Sequence, residues 1–342
     1  MLVRVALQRW FRGALAVSAA ALALPVLLGA CGGGDALTVY SGRNEALVGP
    51  LFAQFEEEAG IEVEVRYGES AELAATIGEE GEGSPADLFL SQDAGSLGSV
   101  AGEELLGELP PSLLERVDDR FRDPDGRWVG VSGRARVVAY DSDELEAGDL
   151  PETIWEYASP SWSGRVGIAP TNASFQAMVT AMRLEAGDER TREWLEGLRE
   201  GDAQVYENNV SILDAIAAGE VDVGLVNHYY LYGLLEEQPD AAIANHYLAD
   251  GDPGALVNVA GLGILAGTDR REDAERLATY LLEKGQEYFA RETFEYPLAE
   301  GVEPGSDLPP LDEVQGPQLE LGALGPQLEE TLRMLSEAGL TS

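Results

Sequence analysis

The chain is short of positive charge. Its 342 residues carry 62 Asp and Glu against 22 Lys and Arg, a formal charge of −40, and Lys284 is the single lysine. Bulk positive charge is what draws proteins to nucleic acid and to anionic lipid surfaces, so both partners are excluded on that ground. Cys31 is the lone cysteine and rules out an internal disulfide. With two histidines, His228 and His246, and no cysteine cluster, zinc and copper sites are disfavoured. There is no GxxxxGK phosphate loop, no nucleophile elbow and no metal-hydrolase His motif, which argues against an enzyme. Paired carboxylates of the glycosidase kind have no discriminating value among 62 acids. What the chain does have is 45% apolar residues, enough for packed cores, and a length that suits two domains.

The first thirty residues read as an address. Arg4, Arg9 and Arg12 stand without an acid, followed by an uncharged run from Ala14 to Ala30 that Pro25 interrupts and that ends Leu28-Gly29-Ala30-Cys31. The run is short for a membrane span, and the basic, apolar, small-residue layout is that of an export signal with a lipoprotein cleavage box. The expectation is a signal peptide over 1–30, lipidation of Cys31, and a flexible glycine tether over 31–36. Cleavage takes the formal charge from −40 to −43.

Beyond the tether, short β-rich runs alternate with amphipathic helical stretches, the pattern of α/β layers around a largely parallel sheet. Strands are predicted at Leu37 to Tyr40, Ile61 to Tyr67, Ala86 to Leu90, Val137 to Tyr140, Val166 to Ala169 and Val221 to Val226. Helices are predicted with Leu47, Leu51, Phe52 and Phe55 on one face, with Phe175, Met178, Val179 and Met182 on another, and over Pro326 to Ala338. Glu303 to Gln318, rich in Pro, Gly and acids, reads as a loop. Four strand ends run into polar turns ahead of helices: Ser41-Gly42-Arg43-Asn44, Ser91-Gln92-Asp93, Pro170-Thr171-Asn172 and Asn227-His228-Tyr229-Tyr230. In parallel α/β sheets ligands bind outside the carboxyl ends of the strands, where helix N-termini offer free N–H groups. Ordinary capping explains Ser41 or Asn172 equally well. It does not explain adjacent tyrosines at a strand end.

The segment Val223-Gly224-Leu225-Val226-Asn227-His228-Tyr229-Tyr230-Leu231-Tyr232 resembles the iron-binding segment of the periplasmic ferric-ion-binding proteins that serve ABC importers. So do Thr38-Val39-Tyr40-Ser41-Gly42-Arg43, Pro85-Ala86-Asp87-Leu88-Phe89, Ser132-Gly133-Arg134-Ala135-Arg136-Val137-Val138, Asp252-Pro253-Gly254-Ala255-Leu256-Val257 and Tyr296-Pro297-Leu298, in family order along the chain. The resemblance implies an α/β, type II periplasmic-binding-protein fold, with two α/β lobes, crossover strands and a cleft between them. The first lobe is expected over 37–134 with 258–295, the second over 135–257 with 296–342, and hinges near 134–138 and 257–260. It further implies Fe(III) as cargo, held by Tyr229 and Tyr230 as tyrosinates with a synergistic anion, carbonate or phosphate. The anion pocket maps onto Thr171, Asn172, Ala173, Ser174, Asn209 and Asn227. Hard Fe(III) prefers anionic oxygen, and a metal can deprotonate a phenol whose free pKa is about 10.

The departures from the family pattern matter. Well-studied members supply a His and a Glu from the first lobe, where this chain has Asn44 and Gln92. Others add a tyrosine where this chain has Phe175. Two phenolates leave one positive charge on Fe(III), to be met by the anion, by water or hydroxide, or by nearby Glu45 or Asp93. Arg43 and Arg134 are expected to hold the anion from the first lobe. His228 is expected beside the site rather than on the metal. The implied protein is a monomer, lipid-anchored in the periplasm or on the outer face of the cytoplasmic membrane, delivering to an ABC permease. The alternative is the same fold holding an oxyanion, a phosphonate or another small molecule without iron.

Overall fold

The computed structural model describes residues 36–299, 301–305 and 308–341; the expected leader, Cys31 and the glycine tether lie outside them. β1 (Leu37–Ser41) turns through Gly42 into α1 (Glu45–Ala59). Asn44 caps α1 by accepting from the Ala46 N–H at 2.9 Å, and Gly60, at φ +68°, stops it. β2 (Val63–Tyr67), α2 (Ser70–Glu80), β3 (Leu88–Ser91), α3 (Ala94–Gly102) and the one-turn α4 (Pro111–Leu114) complete the first run. β4 (Val129–Asp141) follows, then β5 (Val166–Ile168), α5 (Ala173–Ala186), α6 (Asp188–Glu200), β6 (Gln204–Val205), α7 (Asn209–Ala217), β7 (Val223–Asn227), α8 (Tyr229–Glu237) and β8 (Ile243–His246). The chain returns through β9 (Val257–Ile264) and α9 (Arg271–Glu292) and ends on α10 (Leu328–Glu337).

The strands form one nine-stranded sheet in the order β2-β1-β3-β9-β4-β7-β5-β6, with β8 also on β4. β1 runs parallel to β2 and β3, and β5 runs parallel to β6 and β7, so each half is a small α/β sheet. β4 and β9 join the halves. The first part of β4, Val129 to Ala135, pairs antiparallel with β9; from Arg136 onward it pairs with β7, Arg136 facing Asn227. β9 in turn pairs with β3 over Gly261 to Ile264. Two α/β lobes therefore share two crossover strands, and the polar turns after β1, β3, β5 and β7 fall at the carboxyl ends of parallel strands.

Each lobe has its own core. One hydrophobic cluster gathers Leu51, Phe55, Phe89, Val259 and Phe289; another gathers Phe175, Met178, Val179, Met182 and Trp194. The helical faces read from sequence are the faces buried here. Leu308, Val314, Leu321 and Leu324 pack into the first cluster, whereas Met334 and Leu335 of α10 pack into the second. α10 is tied to α5 by a Thr180–Thr331 hydroxyl contact of 2.8 Å and by Arg183 donating to the Gln327 carbonyl at 2.8 Å.

The approach of α7 to β7 requires Gly224, where an added Cβ would stand 2.1 Å from Cγ2 of Ile212. Gly224→Ala is expected to cost about 1–3 kcal/mol through overpacking. Urea unfolding should show a lowered midpoint, while Gly102→Ala, whose added Cβ meets nothing within 4 Å, should not lower it.

Candidate functional site

A cleft of about 1110 Å³ opens between the lobes. Gly42, Arg43, Asn44 and Gln92 line it on the first lobe, and Tyr229 and Tyr230 on the second. The tyrosines are the first two residues of α8, separated from β7 by His228 alone, and their rings stack at 4.3 Å between centroids. A helix N-terminus stabilises negative charge, so phenolates are favoured there once a cation replaces the proton. Without a cation, burial and then the neighbouring Tyr229 hold the Tyr230 hydroxyl well above its ordinary value.

Behind the pair lies a guanidinium that the sequence reading did not single out. Arg136 is 2% exposed, with Nη1 donating to Asn209 Oδ1 and Asn227 Oδ1, each at 3.2 Å, and Nη2 donating to the Leu225 carbonyl at 2.8 Å. Its Nε has no partner among the described residues. Burial brings its pKa down to about 9, opposed by the charges of Tyr229 and Tyr230. Asn227 extends the chain by donating from Nδ2 to Ser174 Oγ at 3.1 Å, and its N–H donates to Asn209 Oδ1 at 2.9 Å. Asn172 accepts from the Ser174 N–H at 3.0 Å, capping α5. Asn172, Ser174, Asn209 and Asn227 are thus one hydrogen-bonded network on Arg136, and Thr171 and Ala173 stand exposed at the head of α5. The signal for Arg136 was present, two residues beyond Arg134 on an apolar strand, where an arginine is rare unless paired.

The first-lobe residues are committed differently. Arg43 is an ion pair with Glu295, Nη2 to Oε1 at 2.8 Å, both side chains at most 3% exposed. Arg134, also buried, donates to the Gln92 carbonyl. The exposed side chain of Asn44 caps α1. Gln92 is exposed on the rim. Asp93 is spent capping α3, accepting from the Ser96 N–H at 2.7 Å and the Ser96 hydroxyl at 2.9 Å, while Glu45 faces the cleft. Phe175 is a core residue stacked on Trp194, so it offers nothing to the cleft. Among the described residues no three His, Cys, Asp or Glu side chains converge on a metal position.

His228 is fully buried and locked. Its Nδ1 accepts from the Ala135 N–H at 3.1 Å, and its Nε2 faces the Phe294 carbonyl at 2.9 Å, which fixes a neutral ring protonated at Nε2. His246 instead faces the Pro151 carbonyl at 2.9 Å.

A polar cleft between two lobes that share two crossover strands, with tyrosines at a helix head, is the arrangement of a solute-binding protein. The chain belongs to the bacterial extracellular solute-binding protein family, whose profile matches residues 83–314. It is 30% identical over 332 residues to the Fe(3+)-binding periplasmic protein of Serratia marcescens, covering 96% of this chain and 97% of that one. It is 31% identical over 309 residues to the major ferric iron-binding protein of Neisseria meningitidis serogroup B, covering 89% and 93%. Among solved structures, iron-bound HitA from Pseudomonas aeruginosa matches with a TM-score of 0.82 and 34% identity, over 90% of this chain and all of that one. A Trichodesmium protein in complex with iron and citrate ligands matches with a TM-score of 0.80 and 26% identity, over 90% and 100%. The type II binding-protein fold is thereby shown, and these relatives are binding proteins rather than enzymes. No helix among the described residues is long and apolar enough to cross a membrane.

Burial lowers the pKa of His228 from 6.5 to about 4. The unfolded chain takes up that proton first, so the contribution of the neutral ring is complete above about 6.5 and is lost as pH falls toward about 4. The expected slope from this group is at most about 1.4 kcal/mol per pH unit. Urea midpoints measured across that window should fall more steeply for the native chain than for His228→Gln.

Proposed function

We propose that this protein is an extracytoplasmic ferric-iron-binding component of an ABC importer. Fe(III) is its cargo, bound by Tyr229 and Tyr230 as tyrosinates together with a small anion, carbonate or phosphate. The observation that carries the reading is the stacked tyrosine pair heading α8, within the field of the buried Arg136. Ferric ion displaces the phenolic protons, and the two phenolates leave one positive charge. Thr171, Asn172, Ala173 and Ser174 at the head of α5, with Asn209 and Asn227 beside them, hold the anion that meets that charge. Arg136 supplies the cation behind that pocket, a role the sequence reading gave to Arg43 and Arg134. The ferric-iron-binding names of the relatives support the same cargo.

The lobes pivot where β4 and β9 pass from one half-sheet to the other, near 134–138 and 257–260, and closure brings Asn44 and Gln92 toward the metal as neutral neighbours. Cys31 carries the lipid, and the loaded protein, a monomer, delivers to a membrane permease. The acid-rich surface is a solvated outer face.

Purified protein given Fe(III) with bicarbonate is expected to develop a tyrosinate-to-iron absorption band in the visible. Tyr229→Phe or Tyr230→Phe should weaken and shift it, and the double variant should lack it; a band that survives the double variant contradicts the reading. Asn227→Ala, which leaves both phenols, should weaken iron retention by about 10–100-fold, the range of lost supporting contacts around a metal. Cys31→Ser should move the protein from the membrane to the soluble fraction in cells.

A further inference from the structure

The first-lobe wall of the cleft contains an ion pair that the capture of iron does not by itself explain. Arg43 and Glu295 both line the cleft, both are at most 3% exposed, and they meet through one contact, Nη2 to Oε1 at 2.8 Å. At that junction Arg43 Nε and Glu295 Oε2 have no partner among the described residues. A guanidinium binds a carboxylate ligand best through two parallel N–H groups. Here one of those groups is already held by Glu295. An anion that took the edge held by Glu295 would have to displace it, leaving a buried carboxylate uncompensated, and one that took the other edge would meet the neighbouring Glu295 carboxylate and a guanidinium whose charge is already compensated.

The rest of the lining has the same sign. Glu45, Glu69, Asp214, Glu236, Glu237 and Glu292 also face the cleft, and Arg43 is the one basic residue among its lining residues. Arg134 is turned to the Gln92 carbonyl, and Arg136 lies beneath the tyrosines, bound to Asn209 and Asn227. A cleft walled by carboxylates with its single arginine neutralised concentrates cations and disfavours a large polyanion, while a small anion is still accepted at the head of α5.

We propose that Glu295, by holding the Arg43 guanidinium, is the specificity-determining residue that makes this cleft admit ferric iron as a cationic hydrated species and refuse it as an anionic tricarboxylate chelate such as ferric citrate. The inference rests on the ferric reading above for its cargo. The anion selectivity itself is independent of iron. Glu295→Gln frees Arg43 for a bidentate anion contact, and the double variant Arg43→Gln with Glu295→Gln removes the guanidinium that contact needs.

The experiment is calorimetric titration of the whole chain with iron-free citrate, followed by native mass spectrometry after loading with ferric citrate or with Fe(III) and bicarbonate. The native protein should give no citrate binding and should carry iron without citrate. Glu295→Gln should bind citrate at least about tenfold more tightly than the native protein, as a gained charge-assisted contact requires, and should retain citrate with iron. The double variant should lose that gain. The proposal is overturned if the native protein binds iron-free citrate as tightly as Glu295→Gln, if it carries one citrate per iron, or if the double variant keeps the gain. Should Glu295→Gln fail to fold, the native protein and the charge-free double variant decide: equal refusal of citrate supports the proposal and native citrate binding overturns it. Failure of the ferric reading is separately visible as absence of the tyrosinate band with Fe(III) and bicarbonate in every variant, while the citrate titrations still report on Glu295.

Discussion

The structure depends on the antiparallel pairing of β4 with β9. Val129 to Ala135 of β4 are bonded to β9, and the same strand is then bonded to β7 from Arg136 onward. Because side chains alternate along a strand, this splice fixes which residues meet the cleft wall and which face the cores. It carries Arg134 to the first-lobe loop at Gln92 and Arg136 to the foot of the tyrosine-bearing turn. A slip of one residue would turn Arg136 away from Asn209 and Asn227 and bury an unpaired guanidinium.

From that constraint the electrostatics of the site follow. The two lobes meet the cleft with opposite arrangements of charge. On the second lobe the buried Arg136 guanidinium sits beneath the two tyrosines, held by the amides of Asn209 and Asn227. On the first lobe the cation is already matched by Glu295. His228 ties these parts together, accepting from β4 at Ala135 and contacting the chain at Phe294, the residue before Glu295. Its neutral, doubly bonded ring makes the tyrosine turn a rigid part of the crossover.

Most of the architecture was legible in the sequence because strand ends, caps and helical faces are local signals. Phe175, Met178, Val179 and Met182 recur at helical spacing and are buried together on α5. The runs at Leu37, Ala86, Val166 and Val221 fall within a residue or two of strands. The apolar run marks the crossover strand only from Val137 to Tyr140; ahead of it Val129, Val131, Gly133 and Ala135 alternate with Gly130, Ser132, Arg134 and Arg136, but small residues and two arginines make that alternation too weak to read as a buried strand. Those residues are tolerated there because their partners are tertiary: Asn209 and Asn227 for Arg136, the Gln92 carbonyl for Arg134. The same cause hid Glu295, 252 residues from Arg43 in sequence and in contact with it in the fold. Local reading therefore found the tyrosine turn and the head of α5, and missed the long-range pairs that set the charge around them.

The central claim is that adjacent tyrosines at the head of α8 hold ferric iron against an anion at the head of α5. The most direct measurement is a crystal structure of the protein grown with Fe(III) and bicarbonate, with diffraction recorded at the iron absorption edge. The account predicts one anomalous peak coordinated by the hydroxyl oxygens of both Tyr229 and Tyr230, an anion bridging it to the network of Asn172, Ser174, Asn209 and Asn227, and lobes closed about β4 and β9. Iron bound elsewhere in the cleft, or bound without either tyrosine, would contradict it.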